Sequence, residues 1–155
     1  MLTKFLQLFN TYPGSHYMQV TTTVDETTMA LSNLLDSVGE FSLVLYGNND
    51  TKFENVKCVK NFKEPFRAMP RSNDIIILKD ILYIHENPDA LLKVAYSSLA
   101  NTADIIIMEK KGIMDINEVK QKLEEFEFRA SNDIDIVNGY DLVMAKKMHM
   151  WGNGL

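Results

Sequence analysis

The chain has 155 residues, of which 46% are hydrophobic and 24% charged, a composition typical of one soluble globular domain. Its formal net charge of −5 gives no electrostatic attraction to nucleic acid or to an anionic membrane. The single cysteine, Cys58, excludes an internal disulfide and a multi-cysteine zinc site. We expect Cys58 to be buried or half-buried in a strand.

The amino terminus has no signal-peptide pattern, and no apolar run approaches the length of a membrane span. We therefore predict a cytoplasmic protein without a membrane or nucleic-acid partner. The sequence contains no P-loop, metal-ligand spacing or nucleophile motif, so no metal site is predicted and no catalytic residue is assigned.

Helical and strand patterns alternate in the first half of the chain. Thr23 and Glu26 have the spacing of a capping box, which predicts a helix start, and Gly39 is expected to end that helix. The predicted elements are a helix within residues 1–12, a strand at Tyr17–Thr22, a helix at Asp25–Ser37, and strands at Phe41–Tyr46 and Val56–Phe62.

The second half begins with the strongest strand signal, the unbroken apolar run Ile75–Leu78 after Asp74, which is typical of a central parallel strand. Asn87, Pro88 and Asp89 predict a helix start with a side-chain cap. Asn138-Gly139 is a hairpin turn signal. The remaining predicted elements are a helix at Pro88–Leu99, a strand at Asp104–Met108, a helix from Asp115, and strands at Phe128–Val137 and Tyr140–Lys147.

This order of elements predicts a single α/β domain over residues 1–155. We expect a Rossmann-like, three-layer arrangement with a mostly parallel sheet, a C-terminal antiparallel hairpin and a tail at 148–155. Three segments resemble the second half of a class I S-adenosylmethionine-dependent methyltransferase. They are Asp74–His85, Ala103–Glu109 and Gly139–Lys147. The first has that family's pattern of an acid, four apolar residues and a second acid, and the last ends in the family's A-x-K pattern.

The resemblance implies a ligand crevice at the carboxyl ends of the strands and S-adenosylmethionine as the cofactor. The implied cofactor contacts are Thr22, Thr23, Tyr46, Gly47, Asn48, Asn61, Lys79 and Asp80. The implied substrate or crevice residues are Tyr83, His85 and Glu109. The simpler interpretation makes Asp80 a turn residue, His85 a surface residue and Glu109 part of a solvated loop.

One segment departs from the family pattern. The family carries a glycine-rich loop after the first strand, where this chain has Thr21–Glu26 without any glycine. We therefore favour a degenerate, non-catalytic module that binds a partner protein or a second copy of itself. The alternatives are an active methyltransferase on a small molecule or protein and a small-ligand binder without transfer chemistry. Met148, Met150 and Trp151 in the tail could equally contact a second subunit or this chain's own core.

Overall fold

The computed structural model describes residues 2–47, 53 and 56–148. Within these ranges seven strands form one sheet of order β3-β2-β1-β4-β5-β7-β6, and only the pairs of β7 with β5 and β6 are antiparallel. The predicted fold class is confirmed. The elements are α1 (Thr3–Leu6), β1 (Ser15–Thr21), α2 (Glu26–Leu35), β2 (Gly39–Tyr46), β3 (Val56–Val59), β4 (Asn73–Lys79), α3 (Pro88–Ser98), β5 (Leu99–Lys110), α4 (Ile116–Glu125), β6 (Phe128–Ile134) and β7 (Tyr140–Lys147).

The start of α2 differs from the predicted capping box. Asp25, not Thr23, is the N-cap, and its carboxylate accepts hydrogen bonds from the backbone amides of Thr27 and Thr28 at 3.0 and 3.3 Å. The reciprocal bond runs from the Asp25 amide to the Thr28 hydroxyl. Aspartate accepts two amides with one carboxylate, and the box therefore forms two residues later than the Thr23–Glu26 spacing indicated.

The end of α2 also corrects a prediction. Ser37 has the left-handed backbone, with φ of 73°, whereas Gly39 already lies in β2. Gly39 is required there for space, because an added Cβ would lie 2.0 Å from the backbone oxygen of Ser15. The glycine therefore permits the close pairing of β1 with β2 and does not terminate the helix.

Three further elements are shorter than the sequence predicted. The amino-terminal helix covers only Thr3–Leu6, because the next amides bond to carbonyls three residues back, which tightens the chain into a turn. Strand β3 ends at Val59, and Cys58 on this sheet edge is exposed rather than buried. The hairpin strands end at Ile134 and restart at Tyr140, so Gly139, with φ of 83°, closes a longer loop than a two-residue turn.

The remaining helix ends show which caps form. Asp115 caps α4 by accepting from the Glu118 amide at 3.2 Å, as its position predicted. Asn87 precedes α3 but its side chain makes no capping bond, while its backbone amide donates to His85 Nδ1 at 2.9 Å. At the other end of α3, the Lys147 ammonium donates to the carbonyls of Tyr96 and Leu99 at 2.7 and 2.8 Å.

The core lies in two layers on the two faces of the sheet. One layer is packed beneath α3 and α4 and the other beneath α1 and α2, with Ile76 and Leu78 in the first and Ile75 and Ile77 in the second. Residues 60–72, which cross from β3 to β4, contain no helix, and Phe66 fastens this segment to the first layer. No helix in the described ranges has the length and apolar character needed to cross a membrane.

Candidate functional site

Lys79 lies at the carboxyl end of the central strand β4, and its side chain is only 2% exposed. Its ammonium is 2.6 Å from an Asp25 carboxylate oxygen, 2.7 Å from an Asp80 oxygen and 2.9 Å from the Tyr140 hydroxyl. Tyr140 in turn donates to the same Asp80 oxygen at 2.9 Å. We call these four residues the Lys79 cluster. They join the carboxyl ends of β1 and β4 to the start of β7.

The charges of the Lys79 cluster stabilise one another. Burial disfavours the ammonium, but the bonds to Asp25, Asp80 and Tyr140 outweigh it and raise the pKa of Lys79. Burial likewise favours a neutral Asp25, but hydrogen bonds from Lys79 and Thr27 lower the pKa of its carboxyl. A lysine ammonium between two carboxylates is therefore the stable state at neutral pH.

A second set of bonds continues from Asp25 into the first strand. Gln19 of β1 is fully buried, and its amide nitrogen donates to the Thr27 hydroxyl at 3.0 Å. The Thr28 hydroxyl donates to the Gln19 amide oxygen at 2.6 Å, while the Thr27 hydroxyl donates to Asp25. Side chains thus fill the turn between β1 and α2, and each bond fixes the neighbouring rotamer.

An aromatic cluster covers the ends of β2 and β4. The Tyr46 hydroxyl and the Nε2–H of His85 both donate to the carbonyl oxygen of Glu64, at 2.5 and 2.8 Å. His85 Nδ1 accepts from the Asn87 amide, so the bonds require the neutral Nε2–H tautomer. The Tyr46 ring lies 5.3 Å from the His85 ring and 5.7 Å from the Phe62 ring. We call Tyr46, Phe62, Glu64 and His85 the Tyr46 cluster.

Glu109 ends β5 beside the Lys79 cluster and is 3% exposed. The backbone amides of Leu82, Tyr83 and Ile81 donate to its carboxylate, but its Oε2 has no partner among the described residues. Burial, and after it the charge of Asp80, raise the pKa of Glu109 to about 7. This acid therefore changes protonation near neutrality and holds the loop after β4 through its amides.

The structure separates the sequence-predicted residues into three groups. Lys79 and Asp80 meet in the Lys79 cluster with Glu109 beside it, and Tyr46 and His85 meet in the Tyr46 cluster. The solvated-loop interpretation of Glu109 and the surface interpretation of His85 are wrong, because both side chains are buried. The remaining predicted residues are members of neither cluster, although Gly47 packs against Phe62, or lie outside the described residues; they are Thr22, Thr23, Gly47, Asn48, Asn61 and Tyr83.

Each of the residues that stand apart has a structural setting. Thr22 is half-buried and Thr23 exposed in the turn before α2. Gly47 has a φ of 96°, and a Cβ there would lie 3.5 Å from the Phe62 ring. Exposed Asn61 accepts from the Lys63 amide, and the exposed Tyr83 hydroxyl accepts from the Asp115 amide at 2.9 Å. Asn48 lies outside the described residues.

Sequence reasoning missed two residues of the Lys79 cluster, Asp25 and Tyr140, and the buried Gln19 that bonds beside it. Asp25 was predicted as the first residue of a helix and as part of a glycine-free turn, but not as the N-cap, although an acid two and three residues before Thr27 and Thr28 is an N-cap signal. Gln19, a buried amide within an apolar strand, also predicts a polar partner on the facing helix. No local signal indicates Tyr140, because it reaches Lys79 only through the order of the strands.

Comparison with solved structures gives the same fold across nearly the whole chain. An S-adenosylmethionine-dependent methyltransferase from Aquifex aeolicus is 17% identical, with a TM-score of 0.69 over 94% of this chain and 89% of that one. A Listeria monocytogenes protein proposed to be such an enzyme is 8% identical, with a TM-score of 0.69 over 96% and 98%. Haemonchus contortus phosphoethanolamine N-methyltransferase 2 is 10% identical, with a TM-score of 0.70 over 96% and 52%.

No family model matches the sequence, and no curated protein matches it. The structural similarity confirms the resemblance at the level of the fold, which is that of the class I S-adenosylmethionine-dependent methyltransferases. Identities of this size carry no information on activity.

Proposed function

We propose that this domain, which has the class I methyltransferase fold, is a non-catalytic binding or interaction module whose cofactor crevice is filled by its own side chains. The observation that carries the proposal is the position of the Lys79 ammonium. It lies at the carboxyl edge of the sheet, within 2.7 Å of both Asp25 and Asp80, beside the turn where the family has its glycine-rich loop.

The Lys79 cluster opposes a cationic cofactor. S-adenosylmethionine carries a sulfonium and an ammonium, and both Asp25 and Asp80 are already paired with Lys79. Separating a buried lysine from its carboxylates leaves uncompensated charge and costs on the order of 3–5 kcal/mol. The ordinary cofactor position therefore requires a rearrangement that the Gln19, Thr27 and Thr28 bonds resist.

The Tyr46 cluster supports the same proposal at the end of β2. Tyr46 and His85 are buried, and both are fixed to the Glu64 carbonyl, which holds the segment after β3 over the ends of the strands. Gly47 packs close to the Phe62 ring. These aromatic rings take up space that a nucleoside would need, and buried rings with satisfied polar atoms are expensive to displace.

The direct test is ligand binding by thermal unfolding and calorimetry. We expect no shift in Tm with S-adenosylmethionine or S-adenosylhomocysteine up to millimolar concentration. Ligand at a hundredfold excess over its Kd would stabilise the fold by about 2.7 kcal/mol, or roughly 5–10 °C. Adenosine with methionine serves as the ligand control. Saturable stabilisation that disappears in Asp80→Asn, which keeps the side-chain shape, would refute the proposal.

The second candidate, an active methyltransferase, is supported by Glu109. A buried acid with a pKa near 7 at the carboxyl edge has the proton affinity of a general base at neutral pH. An enzyme of this kind must bind its methyl donor, so the same titration separates the two functions. Transfer of a labelled methyl group to any acceptor, lost in Glu109→Gln, would favour this candidate.

A further inference from the structure

A separate polar cavity lies at the opposite edge of the sheet, at the amino ends of the parallel strands. Its volume is about 270 Å³, and its polar lining includes Tyr12, Tyr17, Asp74, Asp104, Asn10 and Asn101. We call it the Asp74 cavity. None of its residues belongs to the Lys79 or Tyr46 cluster, so its function is independent of the proposal for the carboxyl edge.

The register of the sheet brings the cavity residues together. Tyr17 of β1 pairs with Ile75 of β4, which pairs with Asp104 of β5, which pairs with Lys146 of β7. Paired residues project to the same face of a sheet, so these four side chains form one row at the end of the core. In this row Ile75 is apolar, and Tyr17, Asp104 and Lys146 carry polar or charged groups.

Tyr17 is a buried residue whose hydroxyl has open hydrogen-bonding capacity at the Asp74 cavity. The residue is 2% exposed and lines the Asp74 cavity, and its hydroxyl makes no hydrogen bond among the described residues. Burial, then the charge of Asp74 and the neighbouring Tyr12, raise the pKa of Tyr17 to about 12. The hydroxyl is not among the fully buried unpartnered atoms of the described residues, so it reaches the cavity, where a ligand near Asp74 can bond to it.

The cavity has one unbalanced negative charge. Asp104 is paired with the Lys146 ammonium at 3.0 Å, and this ammonium also donates to the Thr102 carbonyl. Asp74 accepts only from neutral groups, the Tyr12 hydroxyl at 2.9 Å and the His16 amide at 2.8 Å. Over the described ranges no basic side chain forms an ion pair with Asp74.

We propose that the Asp74 cavity binds a small primary ammonium ion. An ammonium carries three donors and one charge, which match the Asp74 carboxylate, the free Tyr17 hydroxyl and an amide oxygen of Asn10 or Asn101. The volume accommodates a short alkyl chain beside Ile75. A metal ion fits less well, because no group of three or more ligating His, Cys, Asp or Glu side chains occurs in the described residues.

The test uses n-butylammonium chloride as the probe, followed by backbone amide shifts in solution NMR at constant ionic strength. We expect saturable shifts confined to residues 10–17, 73–75 and 101–104. Butanol and tetramethylammonium should give none, because one lacks the charge and the other lacks N–H donors. Unchanged shifts elsewhere serve as the check that the fold is intact.

Variants decide the assignment. Asp74→Asn can keep its carbonyl oxygen for the His16 amide while its NH2 group donates to the Tyr12 hydroxyl, and it removes the charge, so the affinity for butylammonium should fall at least tenfold. Tyr17→Phe should weaken binding severalfold, whereas Glu125→Gln, which removes an exposed acid on α4, should leave it unchanged. Equal affinity in Asp74→Asn and the native chain, or shifts reproduced by sodium chloride, would overturn the proposal.

Discussion

Replacing Lys79 by Met tests the cluster on which the interpretation of the carboxyl edge depends. Methionine fills a similar volume without charge, so Asp25 and Asp80 lose a common partner that lies within 2.7 Å of each. Removing one member of a buried ion pair costs about 3–5 kcal/mol. The Asp25 and Asp80 side chains are 31% and 20% exposed, so water offsets part of that cost, and we expect a loss of about 2–4 kcal/mol.

The measurement is urea unfolding of native chain and variant, with the m-value checked for an unchanged unfolding transition. The matched control is Lys111→Met, which breaks a lysine–aspartate pair whose side chains are 50% and 82% exposed. That change should alter stability by no more than about 0.5 kcal/mol. Equal effects of the two substitutions would refute the structure of the Lys79 cluster.

The pH dependence of the free energy of unfolding provides a second check on the Lys79 cluster. The folded-state pKa of Asp25 is lowered, so its contribution is present above the unfolded pKa and is lost as pH falls through the folded value, below about pH 4. The folded-state pKa of Lys79 is raised, so its contribution is complete below about pH 10 and is lost at higher pH. The contribution of the Asp25–Lys79 pair to the stability of the native chain should therefore be constant between these limits.

Three other predictions concern separate parts of the molecule. The folded-state pKa of Glu109 is raised to about 7, so the free energy of unfolding should fall as pH rises from the unfolded pKa of this group, near 4, towards 7. In urea unfolding, Glu109→Gln should abolish this fall, which amounts to at most about 3 kcal/mol over that pH range. Gly39→Ala places a Cβ 2.0 Å from the Ser15 backbone oxygen and should lower stability by about 2–3 kcal/mol, whereas an unchanged Tm would contradict this close approach. If the module acts as a homodimer, light scattering should give twice the chain mass for the native protein and the monomer mass for Met148→Ala/Trp151→Ala; Met148 is 42% exposed and Trp151 lies outside the described residues.

The strands and the fold class were predictable because their signals are local. The apolar run after Asp74 is long enough to specify a central strand, and the cap at Asp115 forms as its spacing indicated. The caps of the helices were less predictable. Asp25, not Thr23, caps α2 because one carboxylate satisfies two amides, and the Asn87 side chain makes no cap at α3.

The sequence alone therefore determined that this is an α/β domain with the element order of a methyltransferase and with no glycine after its first strand. The tertiary structure alone decided what fills that turn. Lys79 ends β4, Asp25 follows β1 and Tyr140 begins β7. These strands are distant along the chain, and the three residues become neighbours only through the order of the sheet. Ion pairs and hydrogen bonds act over a few ångströms, so contacts between distant segments leave no periodic signal in the sequence.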